Sequence, residues 1–173
     1  MEVSQNRLKQ AGIRISRAGL HNIERKLISD ENDKKIKRLT KKFDRVLVDA
    51  PCTGTGTWRR DPDTRAKYSD LDLENMMSLQ DRILASAARL TKPGGCLVYV
   101  TCSLLREENE DRIIALLSRR KDYKIVPIPK IWDEQVTVKG GGKCPTNSEM
   151  LRLTPKEHNT DGFFAAVLRR DLD

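Results

Sequence analysis

No run of apolar residues in this chain approaches the ~20 that a membrane-spanning helix needs, and the opening Met1-Glu2-Val3-Ser4-Gln5-Asn6-Arg7 has no apolar signal core. The expectation is a cytoplasmic protein without a membrane segment. Histidine is scarce, with only His21 and His158, and the four cysteines Cys52, Cys96, Cys102 and Cys144 form no Cys-x-x-Cys pair. That argues against both a zinc site and a disulfide framework, so no metal is expected. Internal repeats and low-complexity segments are also lacking. Acidic residues are outnumbered, 25 Asp and Glu against 33 Lys and Arg, for a net charge of +8. A basic surface attracts phosphates and releases their counterions, so an anionic partner is favoured. The runs Lys34-Lys35-Ile36-Lys37-Arg38 and Lys41-Lys42 read as solvated helix faces. A chain of 173 residues suits one domain.

The apolar pattern alternates between strand and helix periods. Arg7 to Arg17 carries Leu8, Ala11 and Ile15 at helical spacing, with Gly19 as a stop. Ile23 to Ile28 reads as a short strand. Phe43 to Asp49 reads as a better one, β-branched and apolar enough to be buried. Ser69 or Asp70 caps a long helix with the stripe Leu73, Met76, Met77, Ile83, Leu84, Ala87 and Leu90, ended by Pro93-Gly94-Gly95. Cys96 to Cys102 is a second clear strand and Glu107 to Arg120 a helix whose charge order suits its dipole. Tyr123 to Ile128 and Phe163 to Leu168 are further strands, separated by an irregular stretch. Strand, helix, strand, helix predicts an α/β fold. Gly140-Gly141-Gly142-Lys143 lacks the spacing and the following Ser or Thr of a phosphate loop and reads as a flexible loop.

Open α/β sheets bind ligands at the carboxyl ends of their strands. The two best strands end in Asp49-Ala50-Pro51-Cys52-Thr53-Gly54-Thr55-Gly56 and in Thr101-Cys102-Ser103. As neighbours they would bring one carboxylate and two thiols to one rim. Cys102 would lie just before a helix whose first amides could favour a thiolate, with Glu107 and Glu108 opposing. Cysteine is also commonly a buried structural residue, and residue spacing alone does not choose between the two readings.

Asp49 to Gly56, followed by Arg59-Arg60-Asp61-Pro62-Asp63, resembles the fourth motif of the RNA 5-methylcytosine methyltransferases of the Sun/RsmB and nucleolar proliferation antigen type. Leu90-Thr91-Lys92-Pro93-Gly94-Gly95 leading to Tyr99-Val100-Thr101-Cys102-Ser103, with Glu107, Glu108, Asn109 and Glu110 beyond, resembles the sixth. His158-Asn159-Thr160-Asp161-Gly162-Phe163-Phe164-Ala165-Ala166 resembles the last. The resemblance implies residues 1–173 as a partial S-adenosylmethionine-dependent methyltransferase domain, Rossmann-like, with sheet order 3-2-1-4-5-7-6.

By the same resemblance Cys102 is the nucleophile, Asp49 holds the base, Cys52 helps the product leave, and Arg59 and Arg60 are candidates for RNA phosphates. DNA enzymes of related chemistry use the Pro-Cys cysteine instead, which makes Cys52 the alternative nucleophile. Glu2 would hold the cofactor's ribose, Asp30 its adenine, with Asp49 and Pro51 completing the cofactor contacts. The implied substrate is RNA, ribosomal before transfer RNA. The family's first strand, Gly-rich cofactor turn and active-site lysine have no counterpart in these residues. The expectation is therefore a truncated or split domain, inactive or nearly so alone, completed by a separate N-terminal polypeptide. The segment at Ile23 to Ile28 could not stay in one sheet across the empty positions, about 14 Å, and should re-pair or fray. The alternative function is a non-catalytic RNA-binding remnant or an assembly partner.

Overall fold

The computed structural model describes residues 1–66 and 69–172, which form two compact units, Met1–Thr40 and the remainder from Lys41 onward. The first unit contains helix α1 (Gln5–Arg17) and the single turn α2 (Lys34–Lys37). Ser4 opens α1 by accepting the Arg7 amide on its hydroxyl, and Arg14 and Arg17 sit in the last turn, where the helix dipole favours cations. The helix matches the predicted one within two residues at its start. The predicted strand at Ile23 to Ile28 does not form. Leu27 makes only an isolated parallel bridge to Glu2, with the Glu2 amide donating to the Lys26 carbonyl and the Ile28 amide to that of Glu2. A ladder needs a partner of similar length, and here the partner is one residue long.

The second unit is built on a sheet of β1 (Phe43–Asp49), β2 (Thr91–Thr101), β3 (Tyr123–Ile125), β4 (Leu151–Leu153) and β5 (Phe163–Arg170). The spatial order is β1-β2-β5-β3, with β4 also paired to β5. β1 and β2 run parallel, and β5 is antiparallel to β2, β3 and β4. This reproduces the 4-5-7-6 half of the expected order, a Rossmann-like mixed α/β arrangement. Between strands run α3 (Pro62–Arg65), α4 (Asp70–Leu90), α5 (Glu110–Arg119), α6 (Ile128–Gln135) and α7 (Pro155–His158). β1 was expected to be buried; among the described residues it pairs only with β2, and Leu47 is 67% exposed while Val48 is buried. One face and one edge of that strand are open to water, which explains the mixed pattern.

Ser69 caps α4 in a reciprocal capping box with Asp72. Its apolar stripe meets the sheet through Leu84, Ala87 and Ala88, while Leu73, Met76 and Met77 are half-buried. The helix stops at Leu90, before Pro93-Gly94-Gly95. Those residues belong to β2 and lie at the irregularity in its register with β1, between Phe43 and Arg45. The core consists of Leu97 and Tyr99 of β2, Phe164, Ala166 and Leu168 of β5, and Ile113 of α5, all fully buried. Tyr99 and Phe164 pack edge to face at 6.3 Å. The core thus lies directly beneath the carboxyl ends of β1 and β2 and fixes both.

Candidate active site

β1 and β2 are neighbours in register, Asp49 opposite Val100, and the Ala50 amide continues the ladder to the Val100 carbonyl. The chains leaving them turn toward each other, so that the sulfurs of Cys52 and Cys102 stand 3.4 Å apart, hydrogen-bonded with no disulfide. The turn after Cys52 needs Gly54 at φ +70°, a left-handed backbone where other residues are strained. A Cβ there would stand 3.9 Å from the Cys102 sulfur. Asp49 is exposed on the rim, and its carboxylate has no hydrogen-bond partner among the described residues.

The two thiols titrate as a pair. A hydrogen bond from the Cys52 thiol holds Cys102 well below the ordinary thiol range, against its own burial and the charges of Asp49 and Glu108. The same bond, together with burial and the Cys102 charge, pushes Cys52 up. When the pair loses a proton, Cys102 is the sulfur favoured as thiolate, with Cys52 as its donor. The sequence sets helix amides that could favour a thiolate against Glu107 and Glu108; α5 begins only at Glu110, after a 3-10 turn at Arg106–Glu108. The stabilising donor is a sulfur from the other strand end.

Behind the thiols lies a buried polar network that the sequence reading missed. The Glu108 carboxylate accepts from the Thr53 amide (2.9 Å), the Thr53 hydroxyl (2.5 Å) and the Gln80 amide group (3.0 Å). Gln80 also donates to the Pro51 carbonyl at 2.9 Å. Asn109 accepts from Thr101 and donates to the Ser103 carbonyl, which shapes the backbone after Cys102. Gln80 had one visible signal: a polar residue four positions before Leu84, inside the buried stripe of α4.

The third motif joins the site through backbone contact. The Gly56 amide donates to the Cys102 carbonyl and the Gly162 amide to the Gly56 carbonyl, both at 2.9 Å. A Cβ on Gly56 would fall 2.4 Å from the Gly162 carbonyl oxygen, so three segments cross where only glycine fits. Arg60 forms an ion pair with Asp161, 2.5 Å apart, and Arg59 approaches the same carboxylate at 4.0 Å. Both arginines remain largely exposed.

Of the residues expected to hold a cofactor, Asp49 and Pro51 stand on this rim. In the first unit, Glu2 is half-buried and accepts the Ser4 amide on one carboxylate oxygen, while Asp30 is exposed and accepts the Asn32 amide. Carboxylates with capacity for further donors suit hydroxyls and amines, the groups a nucleoside presents. Among the described residues there is no cluster fit for a metal ion and no helix long and apolar enough to cross a membrane.

Comparison with known proteins bears on this geometry. The 16S rRNA methyltransferase RsmB/F family profile matches residues 1–169. The chain is 39% identical over 126 residues to ribosomal RNA small subunit methyltransferase B of Shewanella oneidensis, covering 73% of this chain and 27% of that protein. It is 32% identical over 169 residues to ribosomal RNA small subunit methyltransferase F of Cronobacter sakazakii, covering 98% and 34%. The crystal structure of NSun6 from Pyrococcus horikoshii with SFG superposes with a TM-score of 0.76 at 29% identity, over 99% of this chain and 41% of that one. The chain thus spans between a quarter and about a third of the length of these curated relatives. On a match that runs through all three motifs and both strand ends, this chain belongs to the 16S rRNA methyltransferase RsmB/F family.

Proposed function

We propose that this chain carries the catalytic thiols of an S-adenosylmethionine-dependent enzyme that methylates carbon 5 of cytosine in RNA, with ribosomal RNA as the substrate. The observation that carries the reading is the contact between the Cys52 and Cys102 sulfurs at the rim of the sheet. Carbon 5 of cytosine is a weak nucleophile. Addition of the Cys102 thiolate to carbon 6 turns the ring into an enamine that is nucleophilic at carbon 5. Asp49, exposed at the end of β1, hydrogen-bonds the N3 edge of the base, which takes one proton shared between acid and ring and favours the addition. After methyl transfer, loss of the carbon 5 proton to water expels the Cys102 sulfur from carbon 6, and Cys52 aids that departure of the product. The cofactor, when bound, supplies an electrophilic methyl group. Relatives named for ribosomal RNA and a neighbour solved with SFG, an S-adenosylmethionine analogue, support the substrate and cofactor.

On this reading the target base leaves its stack to reach the rim. Arg59 and Arg60, tied to Asp161 yet exposed, are positioned for flanking phosphates, and Glu2 and Asp30 are the remaining cofactor contacts. Residues 1–173 then form part of one catalytic domain.

The test is covalent capture. The chain is mixed with small-subunit ribosomal RNA in which cytosine is replaced by 5-azacytosine, whose carbon 6 is more electrophilic. Addition to carbon 6 needs the thiol pair and not the methyl donor, so a complex that survives denaturing electrophoresis is expected even where methyl transfer by the chain alone is weak or absent. Complexes that dissolve entirely in detergent and salt would leave only electrostatic RNA binding, and the enzymatic reading would fall.

A further inference from the structure

Glu108 is fully buried and its charge works against the thiolate, since it raises the Cys102 titration. A buried carboxylate is costly unless its hydrogen bonds are well made. Here they converge on one short segment. Oε1 takes the Thr53 amide and the Gln80 side-chain amide, Oε2 takes the Thr53 hydroxyl, and Gln80 holds the Pro51 carbonyl. Cys52 is therefore bracketed, with Pro51 fixed on one side and Thr53 on the other. The clamp is anchored to the second strand as well, because the Tyr99 hydroxyl donates to the Glu108 carbonyl at 2.7 Å. Tyr99 lies three residues before Cys102 on β2. One side chain thus ties the loop bearing one thiol to the strand bearing the other.

We infer that Glu108 is a positioning residue, a clamp that holds the Pro51-Cys52-Thr53 turn so that the Cys52 thiol stays in hydrogen-bond contact with Cys102. Its meaning for catalysis rests on the reading of Cys102 as nucleophile; the clamp itself rests on geometry. Glu108 touches neither substrate nor reacting atoms. It acts through Thr53 and Gln80, and the cost of its buried charge is offset by the three hydrogen bonds its carboxylate accepts.

Two substitutions separate this role from simple packing, because they move the Cys102 titration in opposite directions. Glu108→Ala removes the acceptor of all three bonds. The turn then relaxes and the donor to Cys102 is lost; the opposing Glu108 charge goes as well, but the Cys52 bond is the larger influence on Cys102, so the pH midpoint for its alkylation by iodoacetamide rises. Alkylation at pH 7 falls by roughly tenfold for each unit of that rise. Glu108→Gln can keep every contact. Its oxygen takes the Oε1 position with two amide donors, and its amide donates to the Thr53 hydroxyl, which is itself able to accept. The clamp remains while the opposing charge is gone, so the midpoint falls below that of the unaltered chain.

Ile113→Ala, a core change in α5, serves as the stability control and should lower the melting temperature without moving the midpoint. Midpoints unchanged in both Glu108 variants, with melting temperatures lowered as in Ile113→Ala, would overturn the proposal. Should Glu108→Ala fail to fold, Thr53→Val, which keeps the Glu108 charge and removes one bond of the clamp, decides the question: a raised midpoint supports the clamp and an unmoved one sinks it. Alkylation needs neither RNA nor cofactor. Midpoints that move as stated alongside failed RNA capture would leave the clamp standing and remove the methyltransferase reading.

Discussion

Cys52→Ala is expected to slow alkylation of Cys102 at pH 7 by more than about tenfold, although the altered residue is not the one alkylated. The sign follows from the direction of the hydrogen bond. Across 3.4 Å the Cys52 thiol is the donor once Cys102 ionises, and this bond is the largest of the influences that bring the Cys102 titration down to about 7. Alanine has no donor, while burial and the charges of Asp49 and Glu108 remain and all raise the titration. Near neutrality the thiolate then changes from a major species to a minor one. The two profiles should converge only at high pH, where Cys102 is ionised in both proteins. A pH series read by mass spectrometry on the peptide holding Cys102 distinguishes it from Cys96 and Cys144. Superimposable profiles would mean that Cys52 does not act as the donor.

Gly162→Ala is expected to cost about 3 kcal/mol of stability, the upper part of the range for overpacking a tight site. The new Cβ would lie 2.6 Å from the Gly56 Cα and 2.6 Å from a Leu104 methyl carbon. One neighbour is backbone, so relief cannot come from a side-chain rotation alone. The segments must part, and the hydrogen bonds from Gly162 to Gly56 and from Gly56 to Cys102 stretch together. Thermal melting should show a drop of several degrees, and the Cys102 alkylation midpoint should rise because the backbone beneath the thiol has moved. Gly142→Ala is the matched control, since a Cβ there meets nothing within 4 Å. Equal melting temperatures for the two variants would contradict the packing seen at the crossing.

These expectations rest on parts of the molecule that were unequally legible in the sequence. β1 was readable to the residue, because Phe43 to Asp49 combines β-branched residues with a turn-forming Ala-Pro-Cys-Thr-Gly exit. The long helix was plain from its apolar stripe, with its cap open between Ser69 and Asp70; the capping box with Asp72 assigns it to Ser69. Its end was not: Pro93-Gly94-Gly95 looks like a stop, yet β2 begins at Thr91 and absorbs those residues in its irregular register with β1. The short β4 and the helix α6 were read as irregular, since three residues carry too little period and Pro129 in the first turn resembles a loop signal. Ile23 to Ile28 shows the reverse error, where strand propensity had no partner ladder to realise it.

In the site, residue types at the strand ends announced the thiols and the carboxylate. Their supports were silent. Nothing local to Glu108 says that it reaches Thr53, 55 positions away, and its place in a charged Glu107-Glu108-Asn109-Glu110 run suggests a solvated helix start. Tertiary contact turned an apparent surface acid into a buried clamp. In the sequence the balance at Cys102 lies open between helix amides and opposing acids: Glu108 does oppose the thiolate, but the helix starts only at Glu110, after a turn, and the donor from Cys52 was not legible.

The central claim, that Cys102 makes the bond to the base, is tested most directly by locating the covalent attachment. The unaltered chain captured on 5-azacytosine-substituted ribosomal RNA is digested with protease and nuclease, and the residue bearing the nucleotide is found by fragment mass spectrometry. Attachment at Cys102 is the predicted result, with Cys52, Cys96 and Cys144 unmodified. Attachment at Cys52 would contradict the account and assign the chemistry to the loop after β1 instead.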